Sequence, residues 1–364
     1  MEKLTILSVF HSPESKKLLE LNFKLVQKLN LGTEYEWVVA DNMPEETSIS
    51  LRSFSPLQRA APRVSHIFAS LRSDHAKNGE KPAERNTGFF LSVIPGIQKA
   101  PDNIPDWIKP SFHHNIAMNM SIPHIKTRFA LFLDSDFYIL QIDWINKMID
   151  HMQKNNLTFM GTPWHPKIYR VFRYFPCHQC LFVDFNKLRD EGYKKDNLDF
   201  TPLDYENVPQ KPPAKKFGKL SRILNIFNFK ERYLIGKEKH TAHRLFEKFS
   251  RNHKIKFEII PAIFKPGRES YPALNLIYSL NKLFELFLPD RLCYIPKNKS
   301  YYSTERFKKL GFCDAWGRGW EEYAWQKAPF GIHVRPIKQI KKGQTIDQII
   351  AILKDCFFSF NINP

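Results

Sequence analysis

The sequence predicts an α/β fold in which a mostly parallel central sheet is flanked by helices. The first observation is that two apolar runs of strand length, at 4–10 and 35–42, enclose an amphipathic helical pattern at 14–30. A strand, a helix and a strand in this order form a parallel unit. The second observation is that several strand patterns end in carboxylates. Ligands of open parallel sheets bind beyond the carboxyl ends of the strands, so these carboxylates predict a crevice there.

The remaining elements follow in chain order. Residues 43–105 could hold a helix and a loop, and a helical pattern at 111–127 then leads into an apolar strand at 128–137. The next helix is predicted at 144–155, and a strand with its turn at 156–164. The alternation continues without an internal repeat, which favours one large α/β domain or two units that share a core.

The stretch FALFLDSDF, at 129–137, is a buried strand pattern that ends in Asp134, Ser135 and Asp136. Two carboxylates one residue apart can direct oxygens at one divalent cation, and hard oxygen ligands favour Mg²⁺ or Mn²⁺. Such an ion can neutralise a diphosphate. The alternative is a turn in which both aspartates cap the next helix. The unbroken apolar strand before the pair favours the metal site.

Composition argues against several classes of protein. With 364 residues, of which 43% are hydrophobic, the chain can bury a sizeable core. Its apolar runs stay short of the roughly 18 residues of a membrane span, and the start MEKLTILSVF resembles no signal peptide. Five scattered cysteines argue against a disulfide framework: Cys177, Cys180, Cys293, Cys313 and Cys356. We therefore expect a cytoplasmic protein, soluble or peripheral on the inner face of the membrane.

Two further patterns favour ordinary structure over a cofactor. The spacing CHQC, at 177–180, matches half of a zinc knuckle, but a second Cys or His pair does not follow at a useful distance. Half-buried thiols are therefore expected there. Glycine-rich phosphate loops of the ATP-binding and dinucleotide-binding types are absent from the sequence, which disfavours ATP-driven and nicotinamide chemistry.

The net charge of +18 is concentrated in one basic segment, residues 211–256. This segment carries 14 Lys and Arg against three Glu, and a proline cluster introduces it. Apolar residues spaced among the basic ones, from Leu220 to Phe227, suit an amphipathic helix on an anionic membrane or an acidic polymer. A solvated basic insertion explains the same pattern equally well.

Two stretches together resemble a known family. LTILSVFHSPESKKLLELNFKLVQ with YEWVVADN, and then SFHHNIAMNMSIPHIKTRFALFLDSDF, are similar to the nucleotide-sugar-binding half of glycosyltransferases with the GT-A fold, nearest to family 2. The resemblance covers about residues 1–165 and resumes at CDAWGRGWEEYAWQKAPFGIHVR, 313–335. It implies a Rossmann-type, GT-A-like sheet with acceptor-side elements and a basic insertion. The implied parts are a nucleotide-sugar-binding half at 1–140, an acceptor-binding and catalytic half at 141–335 and a C-terminal helix or tail at 336–364.

The resemblance also implies roles for single residues. Asp134 or its neighbour would contact the ribose, Asp136 would bind the metal and Asp41 would contact the nucleobase. The implied donor-binding residues are Phe10, Asp41, His114, Asp134, Ser135 and Asp136, and the implied metal ligands are Asp134, Asp136 and His333. Apart from the resemblance, Trp164 and His165 lie just past a predicted strand and could stack against an acceptor sugar, with a tryptophan in the core as the alternative.

The chemistry of sugar transfer accounts for three late residues. Negative charge develops on the leaving diphosphate, and a cation at Asp136 and His333 would stabilise it. A carboxylate must take the proton of the acceptor hydroxyl, and Glu322 is the predicted base, with Glu321 second. The alternative is that both glutamates form the acidic first turn of a helix. For His333 the alternative is a neutral core histidine.

The predicted function is a glycosyltransferase dependent on Mn²⁺ or Mg²⁺. It would move a sugar from a nucleotide-sugar donor to a hydroxyl of a surface-glycan, lipopolysaccharide or lipid-linked acceptor, with inversion and without a nucleic-acid partner. One alternative is a metal-dependent phosphoryl-transfer enzyme, which further convergent carboxylates would favour. The other is a nucleic-acid-binding protein that uses the basic segment.

Overall fold

The computed structural model describes residues 4–43, 89–94, 104, 109–163, 175–201, 241–263, 320–360 and 362. The predicted acceptor contacts, Trp164 and His165, lie outside these ranges, as do Cys293 and Cys313. Of the basic segment 211–256, residues 211–240 also lie outside them.

Strands and helices alternate along the described part of the chain. The first elements are β1 Leu4–Phe10, α1 Pro13–Leu29, β2 Tyr35–Asp41, β3 Phe89–Ile94, α2 Lys109–Ser121, β4 Phe129–Leu133, β5 Phe137–Ile139, α3 Trp144–Lys154, β6 Phe159–Gly161, β7 Cys180–Asp184 and α4 Phe185–Asp190. The later elements are α5 His243–Phe249, β8 Phe257–Ile259, β9 Ala262–Ile263, β10 Glu321–Trp325, β11 Ala328–His333, α6 Pro336–Ile340 and α7 Ile346–Ser359.

These strands form two sheets. The central sheet has seven strands in the order β3-β2-β1-β4-β7-β6-β8, and its first four strands run parallel, whereas β7 is antiparallel to both of its neighbours. The small sheet has the order β5-β11-β10-β9 and is antiparallel throughout. The predicted α/β fold with a mostly parallel sheet flanked by helices is thereby confirmed.

Helix α1 lies within one residue of the predicted range 14–30 at each end. The Ser12 side chain accepts a hydrogen bond from the Ser15 amide, and Pro13 occupies the first turn, where its missing amide hydrogen costs nothing. The apolar stripe of the helix, which includes Leu18 and Phe23, is buried in the core. Phe23 packs against Trp37 of β2 with ring centroids 5.6 Å apart. The parallel unit β1-α1-β2 therefore forms a buried platform for the strand ends.

Two local predictions differ from the structure. The helix predicted over 111–127 ends at Ser121 and is followed by the 3-10 turn Ile122–His124. Pro123 has no amide hydrogen to extend the helix, which explains the early end. Glu321 and Glu322 lie in strand β10 between two partner strands, so the interpretation as the first turn of a helix is wrong.

The C-terminal residues pack on the same core. Thr345 caps helix α7, and Leu353 and Phe357 on its buried face contact the core, with the Phe357 ring centroid 5.5 Å from that of Tyr138 in β5. Within the described ranges, each helix is too short or too polar to cross a membrane.

Candidate metal centre

The aspartate pair follows the central strand β4. All five residues of β4 are buried, because β1 and β7 pair with it on either side. The Asp134 amide donates to the Gln179 carbonyl at 3.0 Å, and the Phe137 amide donates to the Asp134 carbonyl at 3.0 Å, which closes a tight turn. The side chains of Asp134 and Asp136 keep 17% and 19% of their area exposed. The turn therefore presents two carboxylates at the carboxyl edge of the sheet.

Pairing in the small sheet brings His333 to this turn. Strand β11 runs antiparallel to β5, so His333 lies opposite Phe137. Phe137 directly follows Asp136 in the sequence. The Val334 amide also donates to the Asp136 carbonyl at 3.0 Å. As a result, His333 Nε2 lies 3.2 Å from Asp136 Oδ1 and 3.9 Å from Asp134 Oδ2. Residues that are far apart in the sequence thus form one cluster of two carboxylates and an imidazole.

Glu321 holds the other side of the His333 ring. Its Oε2 lies 2.9 Å from His333 Nδ1 and also accepts from the Tyr323 hydroxyl at 3.0 Å, while its Oε1 accepts from Arg335 Nε. An ionised carboxylate only accepts, so Nδ1 carries the hydrogen and Nε2 faces the aspartates. The arrangement is that of a carboxylate which orients a metal-ligating histidine.

Glu322 occupies the opposite face of β10. Side chains alternate along a strand, and Glu321 and Tyr323 are hydrogen-bonded to each other on one face. Glu322 therefore points away from that face, although it is as buried as Glu321, with about 1% of its area exposed. The structure thus brings Glu321 to His333 and places Glu322 on the other face of the same strand.

The charges in the cluster shift one another. Burial and the neighbouring Asp136 carboxylate raise the pKa of Asp134 to about 7. Burial would also raise the pKa of Asp136, but His333 outweighs burial and holds it below its ordinary value. Burial would lower the pKa of His333, but Asp136 and Glu321 raise it to about 9. A divalent cation at this cluster would relieve the repulsion between the two aspartates, because it would place positive charge beside both.

The donor atoms also fit a cation. One ligand atom each from Asp134, Asp136 and His333 lies within 4.8 Å of the others. Two carboxylate oxygens and one imidazole nitrogen form a donor set that suits Mn²⁺, and Mg²⁺ if water or phosphate oxygens complete the shell.

Histidines that the sequence interpretation left out also surround the turn. His178, inside the CHQC stretch, places Nε2 3.8 Å from Asp134 Oδ2. Burial and the nearby His114 lower the pKa of His11, which directly follows β1, while both aspartates act on it in the opposite direction. The sequence feature that could have identified His11 is its position at the end of a strand. For His178 this feature is the strand that begins two residues later. Arg335, which contacts Glu321, could have been identified by its nearness to His333 in the sequence.

The predicted donor residues lie along one edge of the central sheet. His114, on helix α2, places Nε2 3.6 Å from Asp134 Oδ1. Phe10 and Asp41 end the adjacent strands β1 and β2, and the Phe10 carbonyl accepts from the Asn42 amide at 2.9 Å. The Asp41 carboxylate is buried and accepts from the Met43 amide at 3.0 Å. Ser135 is buried between the two aspartates of the turn.

Comparison with known proteins gives structural likenesses only. No family model matches the chain, and no curated protein matches it in sequence. Among solved structures, the chain is similar to the mannosyltransferase PcManGT from Pyrobaculum calidifontis in complex with GDP-Man and Mn²⁺, at 10% identity and a TM-score of 0.33, over 82% of this chain and 69% of that one.

Two further likenesses are of the same kind. The galactosyltransferase LgtC, in complex with donor and acceptor sugar analogues, aligns at 13% identity and a TM-score of 0.37, over 74% of this chain and 81% of that one. Mouse xyloside xylosyltransferase 1 aligns at 9% identity and a TM-score of 0.37, over 71% of this chain and 85% of that one. These three structures are of glycosyltransferases.

Proposed function

We propose that the protein is a metal-dependent glycosyltransferase that moves a sugar from a nucleoside diphosphate to an acceptor hydroxyl. The observation that supports it best is the convergence of Asp134, Asp136 and His333 at the carboxyl edge of a mostly parallel sheet. Ligands bind at this edge in open α/β sheets, and a cation held there attracts a diphosphate. Asp136 and His333, with Asp134, would hold Mn²⁺ or Mg²⁺.

The proposed donor lies along the ends of the central strands. Asp41 and Phe10 would contact the nucleobase side, Ser135 and Asp134 the ribose, and His114 the diphosphate. A bound cation would supply positive charge to the leaving diphosphate. Glu321 accepts the Nδ1 hydrogen of His333, so that Nε2 is turned towards the aspartates, and a bound cation would take the place of the Nε2 hydrogen.

The proposed transfer is a single inverting displacement. The acceptor oxygen forms a bond to the anomeric carbon while the bond from that carbon to the diphosphate oxygen breaks, and a carboxylate takes the acceptor's proton. Glu321 already accepts three hydrogen bonds. We therefore assign Glu321 a positioning role, and Glu322 remains the proposed base. Trp164 and His165 remain the proposed acceptor contacts.

The proposed acceptor is a surface glycan, lipopolysaccharide or lipid-linked saccharide at an anionic membrane. The excess of Lys and Arg in residues 211–256 supports this, because basic segments bind anionic lipid through about 1 kcal/mol per charge. The protein would then act on the inner face of the membrane as a peripheral enzyme. Flotation with anionic and neutral vesicles tests this placement, and equal recovery with both would contradict it.

Thermal unfolding with a panel of UDP, GDP, CMP and their sugars, with and without Mn²⁺, tests the donor site. A ligand that binds only the folded state raises the melting temperature, so one nucleotide should stabilise the protein in a Mn²⁺-dependent manner. Asp136→Asn should abolish this shift, whereas Asp196→Asn, at an exposed position, should keep it. An equal shift in Asp136→Asn would contradict the proposal.

Phosphoryl transfer is a second candidate, which the two further imidazoles at Asp134, those of His114 and His178, favour. The products separate the two reactions. Sugar transfer leaves a nucleoside diphosphate, whereas cleavage of a phosphorus–oxygen bond within the diphosphate leaves a nucleoside monophosphate. Chromatography of the nucleotide formed from a turned-over donor therefore decides between them.

A further inference from the structure

Asp134 has a second set of metal-ligating neighbours. His114 reaches it from helix α2 and His178 from the turn before β7, with Nε2 atoms 3.6 Å and 3.8 Å from the two Asp134 carboxylate oxygens. Both distances are longer than a normal hydrogen bond. The three ligand atoms lie within 4.8 Å of one another.

These separations are close to those of a coordinated ion. Two ligand atoms bound at about 2.1 Å with a tetrahedral angle lie about 3.4 Å apart. The two observed distances exceed this by a few tenths of an ångström, so small side-chain movements would complete the geometry. All three elements that carry the ligands belong to the central sheet or pack beside it.

The imidazoles are arranged as ligands. His114 Nε2 is shielded from solvent and makes no hydrogen bond within the described part of the chain. His178 Nδ1 lies 3.2 Å from Cys177 Sγ, a contact that fixes the ring with Nε2 towards Asp134. Metal-bound histidines commonly donate from the far nitrogen to an acceptor, and the Cys177 sulfur beside Nδ1 is a weak acceptor. The two rings meet edge to face with centroids 5.4 Å apart.

We propose that His114, Asp134 and His178 form a second divalent-cation site that shares the Asp134 carboxylate with the first. Its two imidazoles and one carboxylate favour a borderline ion such as Zn²⁺, whereas the more oxygen-rich first set suits Mn²⁺ or Mg²⁺. The site itself stands without the proposed function. Its role, a second positive charge beside the donor's diphosphate, rests on that function.

Equilibrium dialysis of the full chain against Co²⁺ tests the second site, because Co²⁺ occupies Zn²⁺ sites and its visible absorption reports the coordination geometry. We expect two equivalents per chain in the wild type and one in His114→Gln, in His178→Gln and in Asp136→Asn. His124→Gln removes an exposed histidine and should keep both equivalents. Circular dichroism identifies any variant that does not fold.

The outcomes separate the two sites. One equivalent in the wild type that is lost in Asp136→Asn and kept in the His114 and His178 variants overturns the second site. Two equivalents that neither histidine variant reduces, or none at all, also overturn it. One equivalent that only the histidine variants lose supports the second site and contradicts the cation of the proposed donor site. If one histidine variant does not fold, the other and the wild-type count decide.

Discussion

Two parts of the candidate site are held in different ways. The aspartates after β4 sit on a turn and keep nearly a fifth of their side-chain area exposed. In the hairpin of β10 and β11, by contrast, His333 and Glu321 are 5% and 1% exposed and are hydrogen-bonded to each other. The difference indicates a division of labour. The exposed carboxylates can meet a ligand directly, and the buried pair fixes the direction of one imidazole.

Asp136→Asn is expected to have the largest effect, because it removes a charge from the exposed part. Donor turnover should fall about 100- to 1,000-fold, the range seen when one group that stabilises transition-state charge is removed. The unfolding temperature should also fall, because the contact with His333 that lowers the pKa of Asp136 is lost, although relief of the repulsion with Asp134 offsets part of this. Turnover with Mn²⁺ and thermal melting measure the two effects, with Asp196→Asn as the control. Full turnover in Asp136→Asn would contradict the claim that the exposed carboxylates meet the ligand directly.

Glu321→Gln and Glu322→Gln address the buried part. Glu321→Gln removes the charge that orients His333, so affinity for Mn²⁺ should weaken about 10- to 100-fold. The unfolding temperature should also fall, because Arg335 and His333 lose their charged partner. Mn²⁺ titration by calorimetry measures the affinity.

Glu322→Gln should keep the affinity for Mn²⁺, since this side chain lies on the other face of β10 from His333. It should lose turnover, because Glu322 is the proposed base. The reverse result, with metal affinity lost in Glu322→Gln and kept in Glu321→Gln, would exchange the roles of the two residues.

The exposed part could be predicted from the sequence, and most of the buried part could not. Asp134 and Asp136 follow an unbroken apolar strand, so local periodicity alone places them at a sheet edge. The position of His333 was implied by a resemblance, and its contact with Asp136 depends on the pairing of β5 with β11. Register between strands so distant in the chain is set by packing of the whole core, and local patterns do not report it.

The glutamates show the same limit. EEYAWQ carries an acidic pair before apolar residues, which also suits a helix start. Tertiary pairing with β9 and β11 decided in favour of a strand, and only the strand's alternation separates Glu321 from Glu322. His178 was not predicted, because it is distant from Asp134 in the sequence and comes near it only through the pairing of β4 with β7.

A pair of glycine substitutions compares the two sheets. At Gly331 of β11, an added Cβ would lie 2.8 Å from the Phe137 ring and 3.0 Å from the Tyr138 carbonyl oxygen. Gly331→Ala should push β11 away from β5, displace His333 and cost about 1 to 3 kcal/mol of unfolding free energy. Weaker Mn²⁺ binding should accompany this loss.

At Gly161 of β6, an added Cβ would lie 2.1 Å from the Cys180 carbonyl oxygen, which is backbone and cannot rotate away. Gly161→Ala should therefore cost more stability than Gly331→Ala. Denaturant unfolding of both variants measures the order, and Gly192→Ala, where the space is open but φ is +84°, shows the cost of backbone strain alone. A larger loss in Gly331→Ala would mean that the backbone at Cys180 moves aside more easily than the Phe137 ring does.

Asp199 lies outside both parts of the site and sets the scale of an ordinary polar contact. Burial alone would raise the pKa of Asp199, but hydrogen bonds from Arg244, Thr201 and Asn119 outweigh burial and hold the pKa below its ordinary value. Because the pKa of Asp199 is lower in the folded state, its charge stabilises the folded protein at pH values above the ordinary aspartate pKa of about 3.9. That contribution is lost as the pH falls through the lower, folded value.

Asp199→Asn should thus cost about 0.5 to 1 kcal/mol at neutral pH, since Asp199 and Arg244 are both partly exposed. The difference from the wild type should shrink in acid, because protonation removes the same charge from the wild-type protein. Urea unfolding across the acid range measures this, with Asp196→Asn as the exposed control. A difference that persists at pH values below the folded pKa of Asp199 would mean that the asparagine amide does not fit the hydrogen bonds of the carboxylate. The loss of stability in Asp199→Asn would then not report the charge of Asp199, and it could not serve as the reference for Asp136→Asn.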